Sequence, residues 1–247
     1  MNALTGIVRP GDLGIDLMHY NLHKTFATPH GGGGPGSGPV GAARHLVDYL
    51  PGPIVNARSP NGGESGPVFV LDTPSRSIGR VASYFGNFGM LLRTYAFLRL
   101  LGAQGLRDSA MHAVLNANYL RVQLRDCFKV PFDRTCMHEF VCEGHLENSP
   151  VRALDISKRL IDYGFHPPTN YFPLIVREAL MIEPTETESK PTLDAFIAAM
   201  HKIAEEANST PELLRSAPHV TPTGRLDEVK AARELVLIDR CAAGTSQ

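Results

Sequence analysis

An α/β fold is predicted by three features of the sequence. Beyond residue 106, stretches with apolar residues at helical spacing alternate with short apolar runs bounded by Gly and Pro. Two long helical segments, 77–101 and 106–126, are separated by Gly102 and Gly105. The 247 residues, 43% of them hydrophobic, suffice for one large or two small domains.

Residues 15–20 alternate and predict a short strand with one apolar face. Lys24 follows between polar neighbours. Residues 30–39 are nearly all glycine and proline. A chain gives up side chains over so many positions where its backbone must take φ > 0 or approach something closely. Residues 42–48 predict a short helix stopped by Pro51. The prolines and the Gly62-Gly63 pair of 51–67 predict an irregular surface connector, and 68–71 a short strand.

The first long segment carries Val81, Tyr84, Phe85, Phe88, Leu91, Leu92, Tyr95 and Leu98 at helical spacing, interrupted by Gly86 and Gly89. The second carries Met111, Val114, Leu115, Leu120, Val122 and Leu124. Such stripes are expected to pack into a core. Residues 137–142 predict a strand, and 151–163 an amphipathic helix opened by Pro150 and stopped by Gly164. Residues 174–176 and 179–182 predict buried strands. Thr192 is the expected N-cap of a helix through Glu206, and 225–238 a last helix.

The net charge is -1, from 24 basic and 25 acidic residues, and no block of like charge points to nucleic acid or a membrane surface. The longest apolar runs, such as 67–71, are too short to span a bilayer. No basic region followed by an apolar one opens the chain, so no secretory signal is read. Cys127, Cys136, Cys142 and Cys241 lack CxxC spacing. A reducing, cytoplasmic compartment with free thiols is expected, with a pair among the first three left open.

Lys24 and the glycine loop carry the candidate chemistry. An amine forms a Schiff base only when unprotonated, so a reactive lysine needs burial or nearby positive charge. Lys24 follows an apolar strand and precedes Thr25-Phe26, which predicts burial; a surface lysine ending a strand is the alternative. Gly31 to Gly34 offer free N–H groups to a phosphate or carboxylate, or form a loop without a ligand. The tetraglycine is similar to the HGGG oxyanion loop of lipases and esterases. That reading fails on the nucleophile: GxSxG is absent, and Ser65 has its second glycine one position early. His19, His23 and His30 predict no metal. On a strand, His19 and His23 would lie about 13 Å apart, and no acidic residue or cysteine has ligand spacing nearby. His23 is expected to touch a cofactor or its phosphate. His138 either faces a pocket or is a hydrogen-bonded core histidine.

Residues 16–39, read as D-x-x-H-x-N-L-H-K-T-F then P-H-G-G-G-G-P-G-x-G-P, resemble the pyridoxal-phosphate lysine segment of glycine dehydrogenase (decarboxylating), the P-protein of the glycine cleavage system. The resemblance continues through S-I-G-R (77–80), F-G-N-F-G (85–89), N-A-N-Y-L (116–120), M-H-E-F (137–140), K-R-L-I-D-Y-G-F-H (158–166) and M-I-E-P-T-E-T-E (181–188). It covers almost the whole chain.

The resemblance implies the C-terminal portion of a fold-type I pyridoxal-phosphate enzyme, similar to aspartate aminotransferase. Residues 1–66 would be a remnant of the cofactor-binding large domain, and 67–247 a helical linker with the C-terminal α/β small domain. Lys24 would hold pyridoxal 5'-phosphate, with His23, Gly33 and Gly34 against it. The implied reaction is glycine decarboxylation with aminomethyl transfer to the lipoyl group of H-protein. In the family the stretch matching Met1 to Ala3 is internal, preceded by D-G-A-N, whose aspartate pairs with the pyridine nitrogen. The implied partners are therefore H-protein and an N-terminal half or subunit 1. A second implication is a non-catalytic packing domain of that enzyme that needs a partner chain.

Overall fold

The computed structural model describes residues 1–59, 66–82 and 85–237. Gly62, Gly63, Ser65, Tyr84, Ile238 and Cys241 lie outside the described residues. The chain divides into two compact units, Met1–Ala113 and Val114–Gln247.

In the first unit a 3-10 turn, Pro10–Leu13, closes on Gly14 in the left-handed region. β1 (Leu17–His19) is shorter than its predicted run. It pairs antiparallel with β2 (Val40–Ala42), so α1 (Leu22–Thr25) and the glycine loop are held between the two strands of a ribbon. The helix expected over 42–48 is a 3-10 helix, Arg44–Tyr49. Part of the expected connector is a strand, β3 (Ile54–Arg58), paired antiparallel with β4 (Val68–Asp72). Arg58 forks onto both carboxylate oxygens of Asp72 at 2.7 Å.

α2 (Phe88–Leu124) starts later than predicted, and residues 77–82 are not helical. It breaks at Gly102, at φ 62° and ψ -175°, so the expected boundary between two helical segments is real. The expected core packing fails along one stripe. Phe88, Leu92 and Tyr95 recur at i, i+4 and i+7, yet are 76%, 56% and 60% exposed. The spacing is helical, but nothing among the described residues covers that face.

The second unit is a three-stranded antiparallel sheet backed by helices, an α/β arrangement as predicted. β5 (Phe140–Glu143) and β6 (Thr169–Asn170) flank the central β7 (Ala179–Ile182). α3 (Ala153–Asp162) starts at the N-cap Arg152 rather than at Pro150, and the Arg152 N–H donates to Asp155 at 2.9 Å. Gly164 stops α3 as expected: its N–H donates to the Ile161 carbonyl and that of Phe165 to the Leu160 carbonyl. Residues 174–176 form a turn instead of a strand, with Leu174 and Ile175 exposed and only Val176 buried.

α4 (Lys190–Ser209) is capped by Ser189, not Thr192; the Thr192 N–H donates to Ser189 Oγ at 3.3 Å. α5 (Pro211–Arg215) and α6 (Glu228–Arg233) are short, the latter narrower than 225–238. Leu124, Phe128, Ile156, Leu160, Leu180, Met200, Ile203 and Leu214 are fully buried in this unit's core. Cys127, Cys136 and Cys142 are free thiols, so the pair left open does not form. Burial pushes the Cys142 thiol up to about 12.

Candidate functional site

Lys24 is placed by the periodicity of α1. Leu22 and Phe26, four residues apart, take the buried face. Lys24, two residues from each, therefore emerges on the other face and is exposed. The expectations of delivery by a strand and of burial are both corrected. Three tethers hold α1: Phe26 packs edge-to-face on Phe97 at 6.4 Å, Arg93 Nε donates to the Ala27 carbonyl at 2.5 Å, and Thr25 donates to Asn2 Oδ1 at 2.5 Å.

His23, next to Lys24, stands edge-to-face against His30 with ring centroids 4.6 Å apart. Its Nδ1 is buried and has no hydrogen-bond partner among the described residues. Burial of the ring, then the neighbouring charges of His30, Lys24 and His19, holds the pKa of His23 below the usual histidine range. His23 thus presents a neutral ring with one unused polar atom. His19 turns instead to Asn21 Oδ1 at 2.7 Å.

The loop after α1 takes left-handed conformations at Gly31, Gly32 and Gly33, which a side chain would resist. Its N–H groups are not all free, contrary to expectation. Gly33 N–H donates to the carbonyl and to Nδ1 of His30, and Gly34 N–H donates to the same carbonyl at 2.8 Å. These two glycines keep an open, side-chain-free surface rather than a pair of unused donors.

The second unit contains a cavity of about 450 Å³. Leu120, Phe165, Ile182, Leu193 and Phe196 form its apolar wall, and Glu183, Thr185 and Glu188 its polar side. Asn116 Nδ2 secures the polar segment by donating to the carbonyls of Thr185 and Glu188 at 2.9 and 3.2 Å. Phe140 pairs with Ile182, so Glu139 and Glu183 leave the same end of the sheet. Ligating atoms of His138, Glu139 and Glu183 lie within 4.8 Å of one another. His138 Nε2 is 3.8 Å from Glu183, and its Nδ1 is buried with no hydrogen-bond partner among the described residues, so that nitrogen lacks the bond the core-histidine alternative expects. Sequence reasoning missed this cavity, although Ile182, Glu183, Pro184, Thr185 and Glu188 of M-I-E-P-T-E-T-E line it.

Residues 109–219 match a family model described as glycine dehydrogenase, C-terminal domain. A probable glycine dehydrogenase (decarboxylating) subunit 2 of Caldanaerobacter subterraneus subsp. tengcongensis is 57% identical over 238 residues, covering 96% of this chain and 48% of the relative. A protein of the same name from Chlorobaculum tepidum is 54% identical over 237 residues, covering 95% and 48%. The chain thus spans about half the length of the curated relatives it matches. A crystal structure of the glycine decarboxylase (P-protein) of the glycine cleavage system, in inhibitor-bound form, superposes with a TM-score of 0.67 at 23% identity, covering 80% of this chain and 46% of that one. Glutamate decarboxylase of Lactobacillus brevis superposes at 0.51 and 16%, covering 80% and 42%. The fold is that of the fold-type I pyridoxal-phosphate enzymes. Among the described residues, no helix is long and apolar enough to cross a membrane.

Proposed function

The chain belongs to the glycine dehydrogenase (decarboxylating) family, and from that premise we propose that Lys24 is the cofactor lysine of a glycine-decarboxylating, pyridoxal-phosphate-dependent enzyme. The observation that carries this reading is the local build around Lys24. An accessible amine stands on a tethered turn, beside an orphaned imidazole nitrogen and a loop with no side chains.

These residues fit the cofactor. Lys24 Nζ would hold pyridoxal phosphate covalently, and His23 Nδ1 would gain the hydrogen-bond partner it lacks. Gly33 and Gly34 would let the cofactor approach their backbone, their N–H groups being engaged in the loop. The bound cofactor supplies an electron sink for the pair left when carbon dioxide departs. Lys24 would carry a proton to or from the glycine α-carbon. Tethering of α1 keeps that amine in one place, which favours proton transfer through orientation.

In this reading residues 1–66 belong to the cofactor-binding large domain, and 67–247 form a linker and small domain. Reactive lysines work from water-poor pockets; Lys24 is exposed here, so the surface that covers it comes from an N-terminal half or subunit 1. The apolar stripe Phe88, Leu92 and Tyr95 and the exposed β3–β4 ribbon offer surface for such a partner. Reaction would take place in the cytoplasm, with H-protein accepting the aminomethyl group on its lipoyl arm. The same stripe also suits a second reading, a packing domain without catalysis.

The test is reconstitution of this chain with the family's upstream half and H-protein. Glycine-dependent exchange of carbon dioxide is expected, and Lys24→Ala should abolish it. Exchange that survives Lys24→Ala would overturn the assignment. A tight complex that never exchanges carbon dioxide would favour the packing domain.

A further inference from the structure

We propose that His30 is a positioning residue of the cofactor site: its unprotonated Nδ1 fastens the glycine loop, so that acid loosens the loop and weakens cofactor binding. The inference rests on Lys24 as the cofactor lysine and extends that site to a second histidine. The Gly33 N–H is shared between the His30 carbonyl at 3.3 Å and His30 Nδ1 at 3.2 Å, and the Gly34 N–H donates to the same carbonyl at 2.8 Å. A side-chain acceptor and a carbonyl of one residue serving N–H groups further along is a local pattern that Asn and Asp usually supply. Here a ring nitrogen takes that place. A backbone N–H can only donate, so Nδ1 carries no proton and the proton of the neutral ring sits on Nε2.

The loop depends on this bond because it has little else. Gly31, Gly32 and Gly33 take left-handed φ, and so glycine-rich a backbone has much freedom to lose. Among the described residues, His30 makes the one side-chain hydrogen bond to the backbone of 31–34. The same ring stands edge-to-face on His23, centroids 4.6 Å apart and planes at 79°. One ring therefore sets both the loop and the imidazole beside Lys24. The His30 ring is exposed, so protons reach it from solvent. The second proton of an imidazole goes to the nitrogen that lacks one, here Nδ1. An N–H would then face the Gly33 N–H, and the ring must turn away. Its charge would also stand against His23, on which Lys24 of α1 and His19 of β1 already bear with the same sign. Among the described residues the histidines paired with a carboxylate are His45 and His138, so no carboxylate holds a charged His30 in place.

The test compares the full chain, labelled with nitrogen-15, with its His30→Asn and His30→Ala variants. Asn places Oδ1 as many bonds from the backbone as Nδ1 and takes no proton, so it keeps the acceptor and removes the titration. In the unaltered chain the Gly33 amide should move between pH 8 and pH 5 in step with the ring nitrogens of His30. His30→Asn should lose most of that movement, and His30→Ala should show the acid position throughout. The remaining amides report whether each variant stays folded. Pyridoxal phosphate is then titrated at pH 7.5 and pH 5.5 in the presence of the family's upstream half, and borohydride reduction locates the bound group. His30→Ala should weaken binding at pH 7.5 about tenfold, the loss of one hydrogen bond, and His30→Asn should recover most of it. Acidification should cost the unaltered chain about tenfold more affinity than it costs His30→Asn. A Gly33 amide that ignores the His30 titration would overturn the proposal. So would an equal acid loss in the two forms with the label on Lys24, a result that leaves the role of Lys24 standing. A label away from Lys24 would instead overturn the reading of that lysine, and this proposal with it.

Discussion

Glu206 illustrates how single side chains hold the second unit. Arg159 grips both its carboxylate oxygens, at 2.9 and 3.0 Å, Tyr163 donates to one of them at 2.7 Å, and Arg159 also reaches Asp162 at 3.0 Å. The Arg159 and Glu206 side chains are only 15% and 10% exposed. Burial alone would raise the Glu206 pKa, but hydrogen bonds from Arg159 and Tyr163 outweigh it and hold the carboxyl below its usual range. Asp162 is lowered too: burial opposes, while the Val220 and His219 amides and Arg159 prevail. A lowered carboxyl stabilises the fold fully above its unfolded pKa, near 4.3 for Glu, and loses that contribution as pH falls through the folded value. Glu206→Gln should therefore cost about 3 kcal/mol at pH 7, because it leaves a buried arginine underpaired. It should also flatten the fall in stability below about pH 4.3. Urea unfolding at pH 7 and at pH 3 checks both, and an unchanged acid slope would refute the linkage. At this scale the sequence marks Lys24 and His23 as candidates, and the surroundings it predicts for Lys24 differ from those found. An apolar strand ahead of Lys24 predicts its burial, whereas a single turn of helix puts Leu22 and Phe26 inward and the lysine outward.

Among the elements, the break in α2 rests on one residue. Gly102 at φ 62° and ψ -175° occupies a corner of conformational space reserved almost entirely to glycine. A Cβ there would meet nothing within 4 Å, so the penalty for Gly102→Ala is conformational alone, about 1–3 kcal/mol by urea unfolding. A neutral effect would mean that the break does not persist in solution. Ser189→Ala should cost about 1 kcal/mol through loss of the α4 cap, against a smaller effect of Thr192→Ala. Much of this level was legible in the sequence: the glycine break, the stop at Gly164, and 179–182 as a strand coincide with the structure. The errors have local causes. Pro191 near the start of α4 marks Ser189 as the cap, because proline suits the first turn and the cap precedes it. Prolines around β3 hid a strand that ends before the chain turns back. The apolar run 174–176 follows Pro173 and closes a turn, Val176 N–H to the Pro173 carbonyl at 3.1 Å.

For the whole molecule, the two units differ in how their apolar surface is used. The second buries a continuous core of Leu, Ile, Phe and Met side chains. The first leaves Val55, Phe69 and Leu71 of its β3–β4 ribbon and Phe88 of α2 more than half exposed. Helical spacing told which residues share a face but not what lies against it, so the expectation of core packing for that stripe failed. Hydrogen exchange should accordingly show amides of β5, β7 and α4 protected to the global limit, with those of β3 and β4 exchanging through small local openings. Equal protection of ribbon and core would contradict this contrast. The chain is loaded with pyridoxal phosphate in the presence of the family's upstream half, reduced with borohydride, digested and mapped by mass. The pyridoxyl group should appear on Lys24, in the peptide spanning residues 21–26. A label on Lys129, Lys158, Lys190, Lys202 or Lys230 with Lys24 unmodified would contradict the assignment.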